Sequence, residues 1–223
     1  MNDGLKVLIT GASGMVGEGV LHECLQHVAV SSVLVLTRKT TGIAHPKLKE
    51  IIHHDFFNLF SLRDQLKGID ACYFCLGISS VGISADQYYR TTYTLTMHVA
   101  ELLVQASPQA VFCYVSGAGT DSSERGRIRW ARVKGQTENH LMKLPFKAVY
   151  AFRPGFMKPT PGLKHTKSIY TFINWLYPIG RKLSPNNYCT LRELGLAMIN
   201  ITLHGYDKKV IKGKDIIALA ARH

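Results

Sequence analysis

Three glycines spaced by three, Gly11, Gly14 and Gly17, stand in the run Thr10-Gly11-Ala12-Ser13-Gly14-Met15-Val16-Gly17. The apolar run Leu5–Ile9 precedes them, and Val16, Val20, Leu21, Cys24, Leu25 and Val28 follow as a helical stripe. A strand that turns through glycines into a helix makes an anion site. The first N–H groups of the helix lack partners, and the helix dipole favours negative charge there. Each glycine has its own reason. Gly11 permits the turn off the strand, Gly14 lets backbone approach a pyrophosphate, and Gly17 lets the helix pack on the sheet. Ser13, Met15 and Val16 complete the loop and the first helical turn. The chemistry expected is dinucleotide binding, with the phosphates on the helix N-terminus.

The ends of the later strands carry the other candidates. The strand after the first helix ends in Thr37-Arg38-Lys39, and no acid follows before Glu50. An acid there would bind a ribose 2′-hydroxyl, whereas two cations suit a 2′-phosphate, so the expected cofactor is NADP. The next strand ends in His53-His54-Asp55-Phe56. Adjacent histidines on a strand face apart and no third ligand has a telling spacing, which argues against a metal. Asp55 is expected to accept from an adenine amino group, with Phe56 offering backbone beside the ring. Cys75-Leu76-Gly77 closes a further strand, and Gly77 lets backbone approach the cofactor. Cys72 and Cys75 form a C-x-x-C, but in a strand they point to opposite faces, which favours core over redox chemistry. Ser116, followed by Gly117, either donates to a substrate oxygen or caps a turn. Trp130 and Lys134 lie one turn apart on an expected helix.

These residues need a scaffold that brings strand ends together. Short apolar or β-branched runs read as strands at Leu5–Thr10, Val33–Thr37, Lys49–His53, Ala71–Leu76, Val111–Ser116 and Lys147–Arg153. Helical patterns lie between them, notably about Ala85–Ser107 with Leu95, Val99, Leu102, Leu103 and Ala106 as its stripe, and Ile128–Met142. The alternation predicts an α/β fold of Rossmann type: a doubly wound parallel sheet with helices on both faces. Ligands then bind beyond the carboxyl ends of the strands. Residues 1–223 read as a single domain. Within it, 157–205 is expected to form a small cap or substrate-pocket region, including a helix at Leu191 to about Thr202. A short strand or turn follows near Val210.

With 46% hydrophobic residues among 223, the chain has enough apolar side chains for a packed core. Five cysteines and a strand-like N-terminus lead to an expected cytoplasmic location. The net charge of +12 attracts polyanions, but no nucleic-acid-binding motif accompanies it, and a solvated basic surface is preferred. The apolar segment Ser168–Tyr177, flanked by Lys164, Lys167, Arg181 and Lys182, reads as a cap helix over the pocket or as a peripheral membrane contact across 168–182.

Taken together, these blocks resemble the atypical short-chain dehydrogenase/reductase superfamily, and within it the Tat-interacting-protein-like NADP-binding oxidoreductases. The likeness is carried by Thr10–Gly17, Cys75-Leu76-Gly77, Val133-Lys134-Gly135-Gln136-Thr137-Glu138 and Phe152-Arg153-Pro154-Gly155, in that order. It implies a Tyr-x-x-x-Lys pair in which the tyrosine moves a proton and the lysine holds the nicotinamide ribose. Lys134 matches the lysine, Trp130 stands at the tyrosine position, and Ser116 matches the substrate-orienting serine. The resemblance also puts the backbone of Pro154, Gly155 and Phe156 beside the nicotinamide. Three functions follow as expectations. The first is an NADP-dependent oxidoreductase on a small substrate, helped by Arg132, Tyr88, Tyr89 or water in place of the tyrosine. The second is a non-catalytic NADP-binding sensor with a protein partner. The third is a peripheral membrane or polyanion binder.

Overall fold

A computed structural model describes residues 4–164, 180, 182 and 184–222. The strands that form one sheet are β1 (Leu5–Thr10), β2 (Val30–Thr37), β3 (Leu48–Ile52), β4 (Ala71–Phe74), β5 (Val111–Val115), β6 (Ala148–Arg153) and β9 (Val210–Lys212). They pair in the order β3-β2-β1-β4-β5-β6-β9, and every pairing is parallel. Two further strands, β7 (Phe156–Lys158) and β8 (Tyr188–Thr190), form a separate parallel ribbon.

Both faces of the sheet are covered, which is why the central strands β4 and β5 are apolar throughout and do not alternate. Val7, Ile9, Tyr73 and Cys113 face α1 (Met15–Gln26), α5 (Leu191–His204) and α6 (Gly213–Ala220). Leu8, Cys72, Phe74 and Phe112 face α3 (Leu95–Ala106), α4 (Arg129–Leu141) and a 3-10 turn at Phe60–Leu66. The doubly wound expectation therefore holds. The order reverses between β1 and β4, so the exits of these two strands flank the crevice where such sheets bind ligands.

Local differences from the sequence reading have physical reasons. Helix α1 ends at Gln26, so Val28 leaves the expected stripe and is exposed. The long helix expected over 85–107 is α2 (Ala85–Tyr89), a π turn (Arg90–Thr94) and α3. The interruption coincides with Arg90-Thr91-Thr92-Tyr93-Thr94, a run of β-branched and aromatic residues of lower helix propensity. β4 stops at Phe74, which leaves Cys75 and Leu76 in the exit loop. Helix α5, counted with the cap region in sequence, packs under the sheet against α1. Gly19 of α1 meets Leu191, and Gly195 of α5 meets Glu23. The segment 168–177, with its cap-helix and membrane readings, lies outside the described residues. No helix among the described residues is long and apolar enough to cross a membrane.

Candidate functional site

The loop between β1 and α1 has the geometry expected of a phosphate cradle. Gly11 has φ +75°, and a Cβ there would stand 2.6 Å from the Leu76 backbone nitrogen. A Cβ on Gly17 would come within 2.2 Å of the Gly11 carbonyl oxygen, so helix and turn are in direct backbone contact. Gly14 differs. A Cβ there would meet only the Gly11 carbonyl oxygen at 3.5 Å, and otherwise points into open space. Gly14 is also the N-cap of α1, with no side-chain cap, so the first-turn N–H groups of Met15 and Val16 face that space. The cradle fits a pyrophosphate.

From this loop a cleft of about 510 Å³ runs along the strand exits. Ser13, Arg38, Asp55, Phe56, Leu76 and Gly77 are among the residues that line it. The Phe56 side chain itself is buried in the core, leaving its backbone at the cleft. One Asp55 carboxylate oxygen accepts from Phe57 N at 2.9 Å, and Asp55 is exposed. Glu50 accepts from Thr40 Oγ1, Thr41 N and Thr41 Oγ1 at 2.6, 2.8 and 2.6 Å. Partial burial would raise its pKa, but these bonds outweigh it and hold the carboxyl below its ordinary range. Arg38 and Lys39 are exposed, and neither side chain has a hydrogen-bonding or ionic partner among the described residues. They line a further cavity with Ser13, Thr37 and His54.

Past Cys75 and Gly77 the space continues into a second cleft of about 560 Å³, lined among others by Ser116, Trp130, Lys134 and Gly155. Lys134 donates to the Ser116 carbonyl. Burial lowers its pKa to about 8, and the Glu138 carboxylate one turn on opposes that shift. Glu138 is buried and paired with Arg153, whose Nε donates to it at 3.0 Å. Trp130 packs over Gly119, where a Cβ would touch the indole at 3.4 Å, and its N–H has no partner among the described residues. The Ser116 hydroxyl donates to the Phe152 carbonyl at 3.1 Å, which ties the β5 exit to β6.

The helpers considered for the missing tyrosine separate clearly. Arg132 donates to the Gly126 carbonyl at 2.6 Å, and Tyr89 stacks on Tyr93 with centroids 4.8 Å apart. Tyr88 alone of the three lines the second cleft. Burial raises its pKa, opposed by Thr92 and by the nearby Arg129 guanidinium, so the phenol stays protonated. Phe156 sits in the β7–β8 ribbon with its ring 5.8 Å from Tyr188, while Pro154, Gly155 and Met157 line the second cleft around it. Burial pushes the Cys75 thiol up to about 12, consistent with packing and not with redox chemistry. All five cysteines are free.

The NAD dependent epimerase/dehydratase family model matches residues 7–125, more than half of the chain. Protein HTATIP2 of Rattus norvegicus is 28% identical over 154 residues, covering 68% of this chain and 62% of that protein. The match thus spans somewhat under two thirds of that relative's length. Protein fmp52-1, mitochondrial, of Aspergillus terreus is 27% identical over 165 residues, covering 70% of this chain and 68% of the relative. The fold is shared with the Helicobacter pylori ADP-L-glycero-D-manno-heptose-6-epimerase, with a TM-score of 0.69 at 13% identity over 98% of this chain and 82% of the other. It is shared too with UDP-glucuronic acid 4-epimerase from Bacillus cereus in complex with NAD, with a TM-score of 0.65 at 16% identity over 94% and 78%. The expectation of a cytoplasmic protein is corrected by these comparisons. Relatives from Aspergillus terreus, Emericella nidulans and Candida albicans are named as mitochondrial proteins. Free cysteines report only a reducing environment, which does not single out the cytoplasm.

Proposed function

The chain belongs to the NAD dependent epimerase/dehydratase family, within the short-chain dehydrogenase/reductase superfamily, and from that premise we propose that it is an NADP(H)-dependent oxidoreductase acting on a small carbonyl or alcohol substrate. The observation that carries the proposal is the pair Arg38 and Lys39 at the β2 exit, whose side chains have no partner among the described residues while Glu50 accepts hydrogen bonds from Thr40 and Thr41. The open cradle at Gly14 supports pyrophosphate binding. A nicotinamide cofactor, when bound, supplies the hydride acceptor or donor.

The chain's own residues supply the rest. The α1 N-terminus and Gly14 bind phosphate, Arg38 and Lys39 bind the 2′-phosphate, and Asp55 offers an acceptor to the adenine amino group. Lys134, in its charged form, holds ribose hydroxyls while the Ser116 carbonyl fixes its ammonium. Trp130, which lines the cleft, would offer an indole N–H in place of a phenol. An indole orients an oxygen by hydrogen bonding but gives up no proton near neutral pH.

That last point favours a second reading, a non-catalytic NADP(H)-binding protein whose cofactor stabilises one conformation for a partner. Fluorescence titration tests the cofactor first. NADPH should bind roughly tenfold to hundredfold more tightly than NADH, the worth of one charge-assisted phosphate contact. Arg38→Ala should remove most of that preference, and equal affinities in the wild type refute the NADP(H) reading. Oxidation of NADPH with a panel of aldehydes, ketones and quinones then separates enzyme from sensor. In Trp130→Tyr the restored acid should raise any such turnover about 10²–10⁴-fold. NADPH binding without turnover in either protein supports the sensor.

A further inference from the structure

We infer that His54 is a third phosphate-binding side chain of the cofactor site, and that it makes the choice between NADP(H) and NAD(H) depend on pH. The inference rests on the NADP(H) reading above. It begins from the register of two strands. Thr37 of β2 lies opposite Ile52 of β3, and His53 N donates to the Thr37 carbonyl at 2.8 Å. The two exits therefore leave the sheet side by side. His54 comes out next to Arg38 and Lys39 and completes with them, Ser13 and Thr37 the lining of one cavity. It also lines the larger cleft that holds Asp55 and Phe56, so it stands where the adenosine side meets the cations.

The two neighbouring histidines have different tasks. The His53 ring bonds the Asn58 carbonyl at 2.8 Å and is committed to its own loop. The His54 ring is exposed and has no hydrogen-bonding or ionic partner among the described residues. The charged groups around it are few. Arg38 and Lys39 come from the β2 exit, and the loop before α1 contributes Ser13 and the positive end of the helix. Glu50 on β3 is tied to Thr40 and Thr41, and Asp55, next in the chain, lines the larger cleft and not this cavity. Arg90 lies over the Phe57 ring at 4.6 Å and is not part of this lining. A cavity bordered by three nitrogen-bearing side chains, with no carboxylate among the described residues of its wall, suits a dianion.

A 2′-phosphate offers three oxygens, and two cations leave room for a third donor. Imidazole supplies one N–H when neutral and a charge-assisted one when protonated. Histidines change charge between about pH 5 and pH 8. A phosphate beside the ring favours its charged form, so binding takes up a proton and tightens as pH falls. The phosphate itself loses charge only near pH 6. NAD(H) carries a hydroxyl there and gains nothing.

The experiment is a fluorescence titration of NADPH and of NADH at about pH 8 and about pH 6.5 at constant ionic strength, on wild type, His54→Asn and Arg38→Ala. Dividing the two affinities cancels any effect of Lys134, which serves both cofactors. In the wild type the preference for NADPH should rise roughly threefold to tenfold on going to the lower pH, in keeping with an exposed ion pair strengthened by a charge-assisted hydrogen bond. His54→Asn should flatten that rise and leave NADH affinity unchanged, with an unaltered melting temperature. A rise that persists in His54→Asn, or equal losses for both cofactors, overturns the role of His54. If Arg38→Ala loses the preference while His54→Asn keeps its pH dependence, only this inference fails. Equal wild-type affinities at both pH values refute the NADP(H) reading together with it.

Discussion

Gly14 and Gly17 lie one helical turn apart and meet opposite surroundings. Gly14 has an extended backbone that any residue adopts, and a side chain there would point into the space kept for phosphate. Gly14→Val should therefore fold and melt like the wild type by circular dichroism while losing NADPH binding; a variant that still binds would dissociate the loop from the phosphates. Gly17 touches the Gly11 backbone, so Gly17→Ala must push α1 off the turn and cost about 1–3 kcal/mol of stability, measured by urea denaturation. Lys134 gives a pH prediction. Its pKa is lowered to about 8 by burial, so the folded chain releases this proton before an unfolded lysine would. The unfolded state binds more protons from about pH 8 up to the ordinary lysine range, and stability contributed by this group rises with pH across that window. Cofactor binding moves the other way. The ammonium that holds ribose hydroxyls is lost above pH 8, so NADPH affinity should fall there. Lys134→Met should bind more weakly and show no such slope between about pH 7 and pH 9.5. Both glycine roles could be read from the spacing, whereas the lysine's pKa could not, because burial and Glu138 belong to the packed chain.

At the scale of elements, the cleft depends on parts that never touch it. Helix α5 is capped by Thr190, whose hydroxyl accepts from Glu193 N at 3.0 Å, while the Glu193 carboxylate accepts from Thr190 N at 2.8 Å. Leu194, Ala197, Met198 and Ile201 then enter the core against α1, the helix that carries the phosphate site. Thr190→Ala should cost about 1 kcal/mol of stability with NADPH affinity preserved, measured by urea denaturation and titration. The start of α5 was legible at Leu191, since threonine followed three residues later by glutamate marks a helix start. Its position under the sheet was not, because apolar stripes look alike whether they cover a core or roof a pocket. The expected helix over 85–107 is present as α2, the π turn and α3 in unbroken succession. Its apolar stripe lies in α3, the π turn re-aims the turn before it, and Tyr88 lines the second cleft.

For the molecule as a whole, the two clefts meet at Cys75 and Gly77 beyond the carboxyl ends of the sheet's central strands. A ligand spanning them bridges loops from β1, β2, β3, β4, β5 and β6, so its binding must stabilise the fold globally. At a concentration about a hundredfold above its dissociation constant, NADPH should add about 2.7 kcal/mol. For a domain of this size that raises the melting temperature by roughly 5–10 °C. NADH at the same concentration should give a smaller rise, and calorimetry with both cofactors checks the difference. The charge of +12 makes the same experiment sensitive to salt, because a basic surface draws a polyanionic cofactor from a distance.

The sequence by itself determined the order of strands β1 to β6 and the main helices between them, the glycine turn and the cations at the end of β2. These are local properties, set by side-chain periodicity and by which residues tolerate a tight turn. It determined also that Trp130 and Lys134 share a helix face, since helical spacing fixes that without a partner. Only the tertiary structure decided that Glu50 is bonded by two threonines, that Lys134 is half-buried beside Glu138, that Met157 lines the second cleft, and that His54 joins Arg38 and Lys39 around one cavity. Each of these depends on strands or turns that are separate in the chain and adjacent only once the sheet has formed. Register and burial are properties of pairs of elements, and a single segment does not carry them.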